Sequence, residues 1–238
     1  MLSLEVARDP RGAGARLAAF ADEYPAAPEL DELTVALAAA YLAQGMRDEA
    51  AALLTRVEGP RSSLERAYLA LEDGRVDEAA DALERAADGL PAAEATEAIA
   101  LALALTQGGP EAARLAGEAA LGVHRLGTFD AAAFGAEVAA LPEADRPRSL
   151  ALGAALAERV GDAEGATELR ERLWRDHRDA PEAAAAGLAL ARRLASRDPA
   201  RAADLLEQVI LGHPESAVVP SARRELRRVR SLLRGGSR

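Results

Sequence analysis

EDGRVDEAADALERA, residues 72–86, decides how this chain is read. Gly74 separates two helix-like runs. A residue without Cβ takes the left-handed conformation at a helix C-terminus at little cost, so the first helix ends there. Asp77 and Glu78 then fall in the first turn of the next helix, where carboxylates complement the exposed N–H groups and the positive end of the dipole. Ala79 and Ala80 follow because two helices joined by so short a turn must approach closely. Leu83, Ala86 and Leu90 continue an apolar stripe at three- and four-residue spacing.

The same order recurs in AQGMRDEAAALL (43–54) and ERVGDAEGATEL (158–169). The break before each acidic-alanine element falls at Gly45, Gly74, Gly108, Gly127, Gly161 and Arg197, at intervals of 29, 34, 19, 34 and 36. The interval of 19 is about half a period, so Gly127 closes a helix pair that Gly108 splits. A second marker runs in step. EYPAAPE (23–29), DHRDAPE (176–182) and GHPESAV (212–218) each place an aromatic or histidine, then Pro or Arg, before a small-residue turn into the next helix. Asp9 to Pro25 and Asp198 to Pro214 both span 16 residues, each starting from an RDP triplet.

Composition agrees with a helical chain. Half of the 238 residues are apolar, which supplies a core, while only 3% are aromatic and β-branched residues are sparse. Alanine, leucine, glutamate and arginine dominate, and all form helices well. The pattern predicts thirteen helices, near 12–23, 29–44, 47–57, 61–73, 76–88, 92–106, 110–125, 128–140, 144–160, 162–177, 181–196, 199–211 and 216–234, with no strand and a frayed GGSR tail.

These residues resemble the tetratricopeptide repeat family, whose unit is a helix pair of about 34 residues. Tyr41, Gly45, Ala50, Leu54 and Val57 match its pattern in one repeat, and Ala70, Gly74, Ala79, Leu83, Ala86 and Pro91 in the next. Ala157, Gly161 and Ala166 match in a third, with Arg170 at an apolar position. Arg193, Ala202, Leu206, Val209 and Pro214 match in a fourth, with Arg197 in place of glycine. The resemblance implies a right-handed α-solenoid of about six antiparallel helix pairs, read as one domain over residues 1–238. Within it, 1–27 is an N-terminal half-repeat, 28–91 and 145–214 are clear repeats, 92–144 is degenerate, and 215–238 is a basic capping helix with its tail. The Tyr-Pro and His-Pro turns are similar, more loosely, to those of bacterial envelope members such as outer-membrane assembly lipoproteins and cell-division coordinators.

Catalytic chemistry finds little footing. Cysteine, lysine and asparagine are all absent, which removes disulfides, thiolate metal sites and lysine Schiff bases. No nucleotide-binding glycine loop or nucleophile-elbow motif occurs. His177 and His213 occupy equivalent turns and His124 stands alone, without metal-ligand spacing. The carboxylates recur at first-turn positions, as caps and solvated faces. The chain therefore reads as non-enzymatic, with no catalytic residue, no metal and no cofactor.

Net charge is −10, which disfavours nucleic acid as a partner. Residues 215–238 nevertheless hold seven arginines and two glutamates, against −15 on the remainder. In SARRELRRVRSLLR (221–234), Ala222, Leu226, Val229 and Leu233 form one stripe. Arg223, Arg224, Arg227, Arg228 and Arg230 make the helix a solubilising cap or a basic docking surface. Attraction between the two ends makes a homo-oligomer conceivable. Trp174, the sole tryptophan, reads as core packing or as an exposed binding anchor.

The resemblance implies a protein or peptide partner bound on the inner helices. By position the groove takes Val35, Ala39, Leu42, Leu64, Tyr68, Leu71, Glu72, Ala155, Glu158 and Arg159. Family members that clamp a terminal carboxylate do so with lysine and asparagine, both lacking here. No transmembrane segment or signal peptide is read in the chain, so a cytoplasmic location is expected, or a periplasmic or envelope one if an upstream signal has been removed. The alternatives to a scaffold are an envelope-assembly or cell-division accessory factor, and a regulatory domain of a longer protein.

Overall fold

The computed structural model describes residues 9–235; residues 236–238 of the GGSR tail, expected to fray, and the start of the N-terminal half-repeat lie outside the described residues. Thirteen helices, and no strand, occur among them: α1 (Pro10–Glu23), α2 (Leu30–Ala43), α3 (Arg47–Arg56), α4 (Pro60–Glu72), α5 (Val76–Ala87), α6 (Ala92–Gln107), α7 (Pro110–Leu126), α8 (Ala131–Ala140), α9 (Arg146–Arg159), α10 (Ala163–Asp176), α11 (Pro181–Leu194), α12 (Pro199–Gly212) and α13 (Val219–Gly235). All thirteen sit where the periodicity places them. The start of α13 is later than expected because Ser216 N–H donates to the His213 carbonyl and Val219 N–H to that of Ser216, which prolongs the turn. Helix α8 begins after 128 because Asp130 caps it, its side chain accepting from Ala133 N–H at 2.9 Å.

The glycine connections are built alike. Gly45, Gly74 and Gly161 have φ of 74°, 70° and 82°. The residue after each donates its N–H five residues back, to Tyr41, Ala70 and Ala157 respectively, which closes the helix end in a Schellman motif. Each connection takes three residues, 44–46, 73–75 and 160–162. Arg197 stands in a connection of four, 195–198, and no described residue other than glycine has positive φ. A side chain disfavours the tight left-handed reversal, and the chain takes one residue more to turn.

The second marker is also structural. Tyr24, His177 and His213 cap their helices at φ/ψ of −131/65°, −137/43° and −130/58°. Each donates its N–H four residues back and accepts from the N–H three residues on. Asp9 and Asp198 share φ/ψ of −144/77° and −143/79°, and each accepts from the N–H three residues on.

Within each of the two stretches α1–α6 and α7–α13, packing runs between sequence neighbours, with α2 also on α4, α7 on α9, α8 on α10 and α9 on α11. Ala113, five residues after Gly108, is half-buried and Ala132 after Gly127 is exposed, whereas the alanines five residues after the other four of the six breaks, Ala50, Ala79, Ala166 and Ala202, are all 0% exposed. Their small side chains permit the close approach within each pair. Leu54, Leu83 and Leu206 are likewise fully buried, while Arg170 at the fourth such position reaches out to Glu158. Leu90 is only half-buried because α5 stops at Ala87.

The chain forms two compact units: one ends at Gln107, the other starts at Gly108. The division falls at the Gly108-Gly109-Pro110 connection, where the repeat spacing drops to 19. In the first unit one core joins α1 to α4 through Ala13, Leu37, Tyr41, Leu54 and Leu69. In the second, a core over α7–α11 includes Phe134, Leu150 and Leu173, and another over α10–α13 includes Trp174, Leu206 and Val229.

Candidate functional site

The residues read as groove lining divide between surface and core. Ala39 is exposed, Val35 and Leu42 lean on the α1–α4 core, and Leu64 and Leu71 are half-buried. Tyr68, the middle of the α4 stripe, is 1% exposed, so its ring is core and presents no surface to a ligand. That corrects the sequence reading: a stripe at four- and three-residue spacing looks the same whether it faces a groove or a neighbouring helix. Glu72 is engaged by Arg47, whose Nη1 donates to it at 2.5 Å while Nη2 donates to Asp73 at 2.7 Å and the Leu69 carbonyl at 3.0 Å. In the second unit Ala155 is half-buried, and Glu158 and Arg159 are exposed. Arg170 donates to Glu158 at 2.6 Å and holds its carboxyl below the usual range.

The basic helix α13 is seated by Ala222, Leu226 and Val229, which are buried, while Leu233 at the end of that stripe is 37% exposed. Arg223, Arg224, Arg227, Arg228 and Arg230 are all exposed. Arg228 pairs with Glu225 at 2.5 Å, and Arg230 reaches Glu207 on α12 at 2.7 Å.

A concavity lies in the second unit, over α10, α11 and α12. It is a cleft of about 610 Å³. Trp174, near the end of α10, forms part of its wall and is 8% exposed. Gly187 on α11 lets the indole approach, since a Cβ there would stand 2.8 Å from the ring. Of the two sequence readings of Trp174, core packing is the one its burial matches, and the ring also borders a cleft. Leu190, Leu194 and Leu205 supply the remaining apolar lining.

Around this lining stand Arg175, Arg178, Arg193, Arg197 and Arg201, with Glu171 and Asp204 as the acidic members and Thr167 and Gln208 as the neutral polar ones. The Cζ of Arg178 lies 5.0 Å from the centre of the Trp174 ring. Arg175 pairs with Asp176 at 2.9 Å, which raises the guanidinium's pKa and lowers that of the carboxyl. Arg193 donates to the Ala163 carbonyl at 3.2 Å. Among the described residues, Arg178, Arg193, Arg197 and Arg201 form no ion pair.

Sequence reasoning missed this cluster because it weighed the arginines one helix at a time. The legible signal was Arg193, Arg197 and Arg201 at four-residue spacing across a turn, with Trp174 and Arg178 at the same spacing across another. The acids at other helix starts cap backbone. Asp31 on α2 accepts from Arg61 and Ser62 N–H at the start of α4, both at 2.8 Å, and Asp145 accepts from Gly109 N–H at 3.2 Å.

No group of His, Cys, Asp and Glu among the described residues is arranged to hold a metal ion. No helix among them is long and apolar enough to cross a membrane. Compared with protein-family models, curated proteins and solved structures, the chain matches none.

Proposed function

We propose that this chain is a non-enzymatic interaction scaffold of the tetratricopeptide kind, which presents its helical hairpins to a protein or peptide partner. The observation that carries the reading is the serial packing, within each unit, of helices on their sequence neighbours, with the same Schellman turns at Gly45, Gly74 and Gly161. Such stacking buries one side of each helix against adjacent helices and leaves extended rows of side chains for recognition. The ionisable groups support it, since Asp9, Asp31, Asp130, Asp162 and Asp198 bond backbone N–H groups at helix starts. The net charge of −10 favours a protein partner over nucleic acid.

The test is selection from a displayed peptide library on the immobilised full chain, with hydrogen exchange to map what the winners protect. Enriched peptides that protect one surface of neighbouring hairpins, with unchanged helicity, are the expected result. A library that yields no enrichment over an unrelated helical protein overturns the reading.

A further inference from the structure

We propose that the arginine-lined cleft over α10–α12 binds an internal acidic segment of a partner protein, with an apolar side chain of that segment seated against Trp174 and Leu194. The inference rests on the interaction-scaffold reading and gives its ligand a chemistry.

Charge is the first argument. Five arginines and two acids line the cleft, a formal +3 on a chain of −10. Elsewhere many arginines have carboxylate partners, as Arg47, Arg61, Arg114 and Arg170 do, whereas four of the five here have none among the described residues. Guanidinium groups that outnumber the carboxylates around them repel one another, and a carboxylate-bearing ligand reduces that repulsion.

The second argument is that the helices account for only some of these positions. Arg175 and Arg193 lie in last turns, where a cation complements the helix dipole. Arg201 lies in the first turn of α12, where the dipole disfavours it and the Asp198 cap carboxylate accepts from its backbone N–H rather than from its guanidinium. Arg197 replaces the glycine that closes the other hairpins and forgoes their three-residue turn.

Shape and polarity narrow the ligand. A lone phosphate or carboxylate would leave Leu190, Leu194, Leu205 and the Trp174 edge unused. About 610 Å³ suits a few residues of peptide. The cationic groups come from three helices and two turns rather than from one focus, which suits several side-chain carboxylates more than a single chain terminus. Stacking over the indole leaves the N–H edge of Arg178 for a carboxylate.

Trp174 is the only tryptophan, so the intrinsic fluorescence of the full chain reports on this cleft directly. The probe is a short peptide alternating glutamate and leucine, amidated at its C-terminus, beside a counterpart with glutamine for glutamate. The acidic peptide is expected to change Trp174 emission saturably, more weakly at high salt, and at least about tenfold more tightly than the glutamine peptide. The Arg197→Glu/Arg201→Glu double variant is expected to lose about tenfold or more and to gain binding of a lysine–leucine peptide. Should the double change disturb helicity, Arg201→Gln at its exposed position is expected to weaken the acidic peptide severalfold with unchanged circular dichroism. Equal binding of the acidic and glutamine peptides overturns the proposal. So does displacement of the acidic peptide by inorganic phosphate or a single-stranded oligonucleotide that binds more tightly. Library peptides that bind without acidic bias and without touching Trp174 overturn this inference alone. Failure of every peptide in both experiments overturns the scaffold reading with it.

Discussion

At Gly74 the backbone turns left-handed, and nothing lies within 4 Å of the place a Cβ would take. The requirement there is purely conformational. Gly74→Ala is therefore expected to cost about 1–2 kcal/mol, read as a lower urea midpoint at unchanged m-value, with Gly74→Asn milder because asparagine tolerates that region. Gly153 has the opposite reason for being glycine. A Cβ there would meet the Phe134 ring at 2.5 Å, in the core over α7–α11. Gly153→Ala is expected to cost about 1–3 kcal/mol through overpacking, and shortening Phe134 to leucine in the same chain should recover part of that loss. If Gly74→Ala proves neutral, the Schellman turn does not hold the hairpin as described.

Among the elements, α4 shows how a helix start can be completed by another helix. Gly59 precedes it without a capping side chain, and Asp31 from α2 supplies the acceptor to the N–H groups of Arg61 and Ser62. It also accepts from the buried Ser62 hydroxyl at 2.5 Å. A Cβ on residue 59 would stand 2.1 Å from the Asp31 carboxyl carbon, so the glycine makes room for the carboxylate. Asp31→Ala leaves these donors without their acceptor and is expected to cost about 1–2 kcal/mol. Hydrogen exchange should speed up first at the start of α4; protection unchanged there would show that the cap is dispensable. Asp31 is legible in the sequence as a first-turn acid of its own helix. Its bond to α4, some thirty residues on, is not, because nothing in the spacing says which helix starts come together.

For the molecule as a whole, acid is the informative perturbation. Arg75 holds Asp73 below the usual carboxylate range, Arg170 does so for Glu158, Arg175 for Asp176 and Arg228 for Glu225. In each case the folded chain binds the proton less readily than the unfolded one. The contribution is complete above the ordinary carboxylate values of about 4 and is lost as pH falls through the lower folded values. The melting temperature is thus expected to fall on acidification from about pH 6 to pH 3, less steeply in Glu158→Gln. A melting temperature that stays flat over that range would contradict these pairings. High salt should reduce the effect, since the pairs are largely solvent-exposed.

The sequence by itself determined the helices and their punctuation. Gly45, Gly74 and Gly161, the alanines five residues after them and the Asp-Pro helix starts act through local backbone geometry, which spacing records. It also showed that Tyr24, His177 and His213 are equivalent, since each turn is closed within a few residues. Tertiary structure alone decided which stripe faces inward, and so placed the Tyr68 ring in the core rather than in a groove. It alone divided the chain at Gln107 and brought Arg178, Arg193, Arg197 and Arg201 around Trp174. The physical reason is that charge and burial depend on what approaches from another helix, whereas a turn depends on the few residues that make it.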